Sequence, residues 1–117
     1  MQDGQGEQAP QPRKSPIDPV HLARQAQGDP ALEQEVLELF LAQAIAVRDE
    51  LKVAVDDTAR RQLAHSLVGS ARAVGAFDLA DCAQELEAGP HTPALMERLG
   101  VLVEEVRDFV ANLERRR

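Results

Sequence analysis

Residues 29–55 read DPALEQEVLELFLAQAIAVRDELKVAV, and this stretch decides the fold. Asp29 followed by Pro30 is the grammar of a helix start. The carboxylate caps free amide N–H groups, and proline takes the first helical position, where its missing N–H does no harm. Beyond it Leu32, Val36, Leu39, Phe40, Val47 and Leu51 keep helical spacing. That spacing predicts one long amphipathic helix from Pro30 to about Val55.

The same grammar recurs on either side. Asp18-Pro19 opens a short helix reaching Gln27 and ended by Gly28, and Asp56-Asp57 breaks the chain before a third helix, Thr58 to Val74, that Gly75 closes. A fourth runs from Phe77 to Ala88, with Leu79, Ala83 and Leu86 on one face, and stops at Gly89-Pro90. Thr92-Pro93 opens the fifth, which reaches Arg115 with Leu95, Leu99, Leu102, Val106, Phe109 and Leu113 along one stripe. No segment alternates with period two between hairpin turns, so no strand is expected. Four substantial helices with short connections predict an all-α protein, an antiparallel four-helix bundle with a short additional N-terminal helix across one end. Residues 1–16, MQDGQGEQAPQPRKSP, carry too little apolar surface to offset their ordering entropy. They read as a disordered leader, and residues 17–117 as the bundle.

Composition narrows the function. The chain has 117 residues and a formal charge of −7, the wrong sign for binding phosphate backbones or anionic membranes. With no Trp, no Tyr and three Phe, it lacks base-stacking platforms. One cysteine, Cys82, excludes an internal disulfide and a Cys-based zinc cage, and no two of the three histidines stand three or four apart. No metal site is therefore expected. The polar N-terminus and the absence of a long apolar run point to the cytoplasm. A nucleotide-binding loop of the Gly-x-x-x-x-Gly-Lys type is missing, which argues against an ATP-using enzyme. Carboxylate pairs such as Glu104 and Glu105 read as ordinary helix surface.

Chemistry concentrates at residues 64–75, AHSLVGSARAVG. The core face of this helix reads as Leu63, Leu67, Ser70 or Ala71, and Val74. His65 lies about 200° from both Leu63 and Leu67, so its ring projects to solvent. Gly69 falls one turn later on the same face, where mid-helix glycine costs about 1 kcal/mol relative to alanine. Its use there bares the backbone beside the imidazole and clears an approach for another protein. Arg72 returns to within about 20° of His65, and Arg61 stands one turn before it, so two cations flank the ring. Val68, about 300° around from His65, is placed on the same exposed side. Gln62, Val68 and Gly69, with neighbouring parts of the second helix, are the expected docking patch. His21 and His91 read as surface residues, and Cys82 as an inert core thiol.

An exposed nucleophilic imidazole, a cleared approach and flanking cations describe a phosphoryl acceptor that works against another protein. The stretch resembles the histidine-containing phosphotransfer (HPt) family of bacterial phosphorelays, whose motif is approximately His-x-Leu-Lys-Gly-Ser-[Ser/Ala]-x-x-[Leu/Ile/Val]-Gly. His65, Leu67, Gly69, Ser70, Ala71, Val74 and Gly75 match in register. Ala76, Phe77, Leu79 and Ala80 are similar to the alphaproteobacterial branch. The resemblance implies a four-helix bundle and a phosphocarrier without an ATP-binding domain. It implies phosphoryl transfer between His65 and aspartates of receiver domains, in response regulators and hybrid histidine kinases. No cofactor is implied on this chain, since the magnesium belongs to the receiver, and a monomer is expected. Val68 departs from the pattern, standing where the family has Lys, which leaves charge neutralisation to Arg72, Arg61 or the partner. The alternative is a degenerate bundle that binds receivers without carrying phosphate.

Overall fold

The computed structural model describes residues 15–116. Five helices follow in chain order: α1 (Pro19–Gln25), α2 (Pro30–Val53), α3 (Asp57–Val74), α4 (Phe77–Ala88) and α5 (Pro93–Arg115). Side chains close four of the five N-termini. Asp18 accepts from the amides of Val20 and His21, Asp29 from Ala31 and Leu32, Asp56 from Ala59, and Thr92 from Leu95. Asp56 is thus the cap of α3 and Asp57 its first residue. The second helix stops at Val53, two residues early, where Ala54 turns extended. Val53 and Val55 both face solvent, so no packing holds a further turn.

Four helices form a ring in which α2 packs on α3, α3 on α4, α4 on α5 and α5 back on α2. The short α1 lies across α2 and α3 at one end. These contacts make the four-helix bundle with an extra N-terminal helix that the caps and periodicity predict. The core takes Leu37, Phe40, Ala44, Val47 and Leu51 from α2 and Leu99, Leu102, Val103, Val106 and Val110 from α5. On α2 the buried stripe is therefore centred on Leu37 and Phe40; Leu39 is 69% exposed and Leu32 lies at the rim. Leu37 gives the three-four spacing 37, 40, 44, 47, 51 that one core-facing stripe requires. No polar or charged residue among those described is buried.

Residues 1–14 of the leader lie outside the described residues. Ser15 and Pro16 are half-buried, and the Ile17 amide donates to Ser15 Oγ at 3.3 Å. Ile17 is fully buried and joins the core. The anchor of this segment is Gly75, which takes the left-handed conformation (φ 86) just past α3. The Ala76 amide reaches back to Ala71 O at 2.8 Å and the Gly75 amide to Arg72 O at 3.3 Å, satisfying carbonyls that the helix end leaves free. The Gly75 carbonyl accepts from the Asp18 amide at 2.9 Å. A Cβ on Gly75 would stand 3.1 Å from Asp18 O and 3.3 Å from Asp18 N. Glycine is required twice over, by its φ and by the backbone that crosses it. Gly69 is the opposite case, since a Cβ there would meet nothing within 4 Å.

Two alanine substitutions in the same helix therefore have opposite signs. Gly75→Ala lowers unfolding stability by about 1–3 kcal/mol, whereas Gly69→Ala raises it by up to about 1 kcal/mol. Urea denaturation of the two variants against the parent chain checks both signs.

Candidate phosphoryl-acceptor site

The buried stripe of α3 is Ala64, Leu67, Val68, Ala71 and Val74. It is set by two neighbours, α2 on one side and α4 on the other. Leu63 is half-buried against it, and Ser70 is half-buried too. This shifts the core face toward α4 from the position that Leu63 and Leu67 suggest. His65 falls just outside that face, with its side chain 75% exposed. Gly69, Arg72, Arg61 and Gln62 are exposed on the same surface.

Val68 is the correction. Expected beside the ring on the solvent side, it is 6% exposed and belongs to the core cluster. The packing of α4 along α3 covers the position, which a wheel drawn from α3 alone leaves open. Its side chain therefore offers a docking partner almost no surface.

The imidazole is held from α4. His65 Nδ1 lies 2.8 Å from Glu87 Oε2. A carboxylate can only accept, so Nδ1 carries the proton and the Nε2 lone pair is left facing solvent. A second peg from the same helix lies nearby: Arg72 Nη2 donates to Gln84 Oε1 at 2.9 Å. Two residues of α4 thus grip two residues of α3. The hydrogen-bond partner of the ring comes from α4. Sequence reasoning missed Glu87 and Gln84. Their spacing of three on the polar face of α4 was readable, but that this face borders His65 is a matter of packing. Arg61 lines a shallow cleft with Asp57, Arg60, Glu87 and His91, just beyond the ring's carboxylate.

The remaining polar candidates play other parts. His21 Nε2 donates to Ala73 O at 3.1 Å, and its ring packs edge-on against Phe77 with centroids 5.2 Å apart, so it ties α1 to the end of α3. His91 is half-buried in the α4–α5 loop, and neither ring nitrogen has a hydrogen-bond partner among the described residues. Cys82 is fully buried, and burial pushes its thiol pKa up, as suits an inert core residue. Among the described residues no group of three or more His, Cys, Asp or Glu could hold a metal ion. No described helix is long and apolar enough to cross a membrane.

A helical bundle presenting an oriented histidine on its surface is the frame of a phosphotransfer module. The model of the Hpt domain family matches residues 35–115, from the first turns of α2 to the end of α5, and the chain belongs to that family. Neither a curated protein nor a solved structure matches it.

The Glu87 contact makes a prediction independent of any partner. In 15N-resolved spectra of the neutral His65 imidazole, the Nδ1–H tautomer dominates. Glu87→Ala shifts the population toward the Nε2–H form, and an unchanged tautomer ratio means that Glu87 does not orient the ring.

Proposed function

We propose that this chain is a histidine phosphotransfer protein that takes a phosphoryl group on His65 from a receiver-domain aspartate and passes it to another receiver. The observation that carries the proposal is the presentation of His65: three-quarters exposed, with Nδ1 engaged at 2.8 Å by Glu87, which leaves Nε2 as the nucleophilic nitrogen. Membership of the Hpt family supplies the reaction class.

The step balances simply. The Nε2 lone pair attacks phosphorus in line, the N–P bond forms, and the acyl O–P bond breaks with its electron pair leaving on the aspartate carboxylate. The ring becomes a phosphorylated imidazolium with its proton still on Nδ1. Glu87 faces that proton and stabilises the positive charge as it develops. Return of the phosphoryl group to a second receiver reverses the same bonds. A magnesium ion screening the transferring oxygens is supplied by the receiver. Arg72 and Arg61 are the exposed cations of α3 on this surface, from which a charge for the phosphoryl oxygens is drawn. Gln62 and Gly69 lie at the centre of the docking surface, and receivers of response regulators and hybrid histidine kinases are the partners.

Incubation with a phosphorylated receiver puts acid-labile, base-stable phosphate on the protein. His65→Gln retains the helical circular dichroism and takes no label. A His65→Gln chain that still labels overturns the assignment, and a parent chain that binds the receiver without label supports the non-carrying bundle instead. Gly69→Gln, at the open position beside the ring, slows transfer by blocking approach although it raises helix propensity. Unchanged transfer kinetics in that variant remove the steric argument.

A further inference from the structure

A phosphoryl group on Nε2 brings a charge of about −1.5 to −2 to a protein already at −7, on a ring that Glu87 also touches. Of the two helices at the ring only α3 carries basic residues, so a cation that this chain supplies there comes from α3. Arg60 is committed, with Nη1 2.7 Å from Asp57 and Nε 3.1 Å from Ala54 O. Arg61 is exposed, but long side chains on a helix lean toward its N-terminus, which carries Arg61 away from His65. The same lean carries Arg72 toward His65.

Arg72 alone is seven residues from His65, about 10 Å along the helix axis. What shortens the gap is α4. Gln84 and Glu87 are three residues apart on one helix, so their Cβ atoms stand about 5–6 Å apart. One grips the Arg72 guanidinium at 2.9 Å and the other the His65 ring at 2.8 Å. The two α3 groups are thereby tied to positions one turn apart on α4, beside the open surface at Gly69. Gln84 is also neutral, so it holds the guanidinium through one N–H without cancelling its charge.

Resting on the reading of His65 as the phosphoryl acceptor, we propose that Gln84 is a positioning residue that holds Arg72 where it meets the phosphoryl group. A receiver is not needed to test it. Phosphoramidate serves as donor: Nε2 takes the phosphoryl group, the N–P bond of the donor breaks, and ammonia leaves. The 31P resonance of phospho-His65 is then titrated with pH. A cation beside the phosphoryl group favours its dianion and lowers the second ionisation. Gln84→Leu, which removes the acceptor, raises the titration midpoint by about half a pH unit, roughly a three-fold change in proton affinity. Gln84→Glu keeps the hydrogen bond but neutralises Arg72, and raises it as well. Arg72→Gln raises it too, and adding Gln84→Leu to Arg72→Gln gives no further shift.

Gln84 variants that titrate with the parent chain overturn the proposal while leaving His65 as acceptor. So does a Gln84→Leu effect that persists undiminished in the Arg72→Gln background. If the parent chain gives no phosphohistidine signal that His65→Gln removes, the acceptor reading falls and the role of Gln84 falls with it.

Discussion

Everything at the site depends on how α4 lies along α3, the most extensive helix pair of the bundle. The buried residues on the two helices are mostly small: Ala64, Val68 and Ala71 on one, Ala80, Cys82 and Ala83 on the other, with Leu67, Leu79 and Leu86 filling the layers between. Small side chains let helix backbones close up, and close backbones bring the polar rims of the seam into hydrogen-bond range. His65 meets Glu87 and Arg72 meets Gln84 for that reason. The seam is also where the chain turns most sharply. Gly75 and Ala76 are the whole connection between α3 and α4, and only a left-handed glycine crossed by the Asp18 backbone fits there.

The architecture was legible because its signals are local. Asp18, Asp29 and Thr92, each followed by proline, and Asp56 at its polar break announce helix starts through their own side chains, and Gly75 announces a stop through its φ. These need no knowledge of the partner helix. Which face of a helix is buried is a less local question. On α2 the run Val36-Leu37-Glu38-Leu39-Phe40 allows more than one apolar stripe, and only the neighbours α3 and α5 select Leu37 over Leu39. Val68 is the same failure where it matters more. Read from α3 alone, it borders His65; with α4 in place it lies under the seam. The histidine itself was legible because it stays outside the core face on either choice, with its side chain 75% exposed.

Charge explains why the polar rim is arranged as it is. The protein is acidic overall, and carboxylates crowd α4, whose residues include the exposed Asp81 and Glu85 and the half-buried Glu87. A neutral glutamine in that setting is conspicuous by its place rather than its type. Glu85, one residue on, pairs loosely with Arg98 of α5 at 3.5 Å, on the far side of α4 from His65. Gln84 and Glu87 turn toward α3, and they divide the labour by charge. On the proposed reading the carboxylate suits a ring that becomes cationic when phosphorylated, while the amide leaves the guanidinium its charge. Exchanging the two would neutralise Arg72 and leave the imidazolium without a counter-ion.

Val68 then has a physical account that its family position alone withholds. A lysine there would start from a Cα facing the seam, and an ammonium cannot stay in an apolar layer without a partner. It would have to thread its stem past α4 to the rim, giving up part of the close packing that a compact β-branched side chain provides. Valine fits the seam at 6% exposure, between the points where Glu87 and Gln84 reach α3. On the proposed reading, the guanidinium of Arg72, gripped by Gln84, is the cation this chain offers where position 68 carries none.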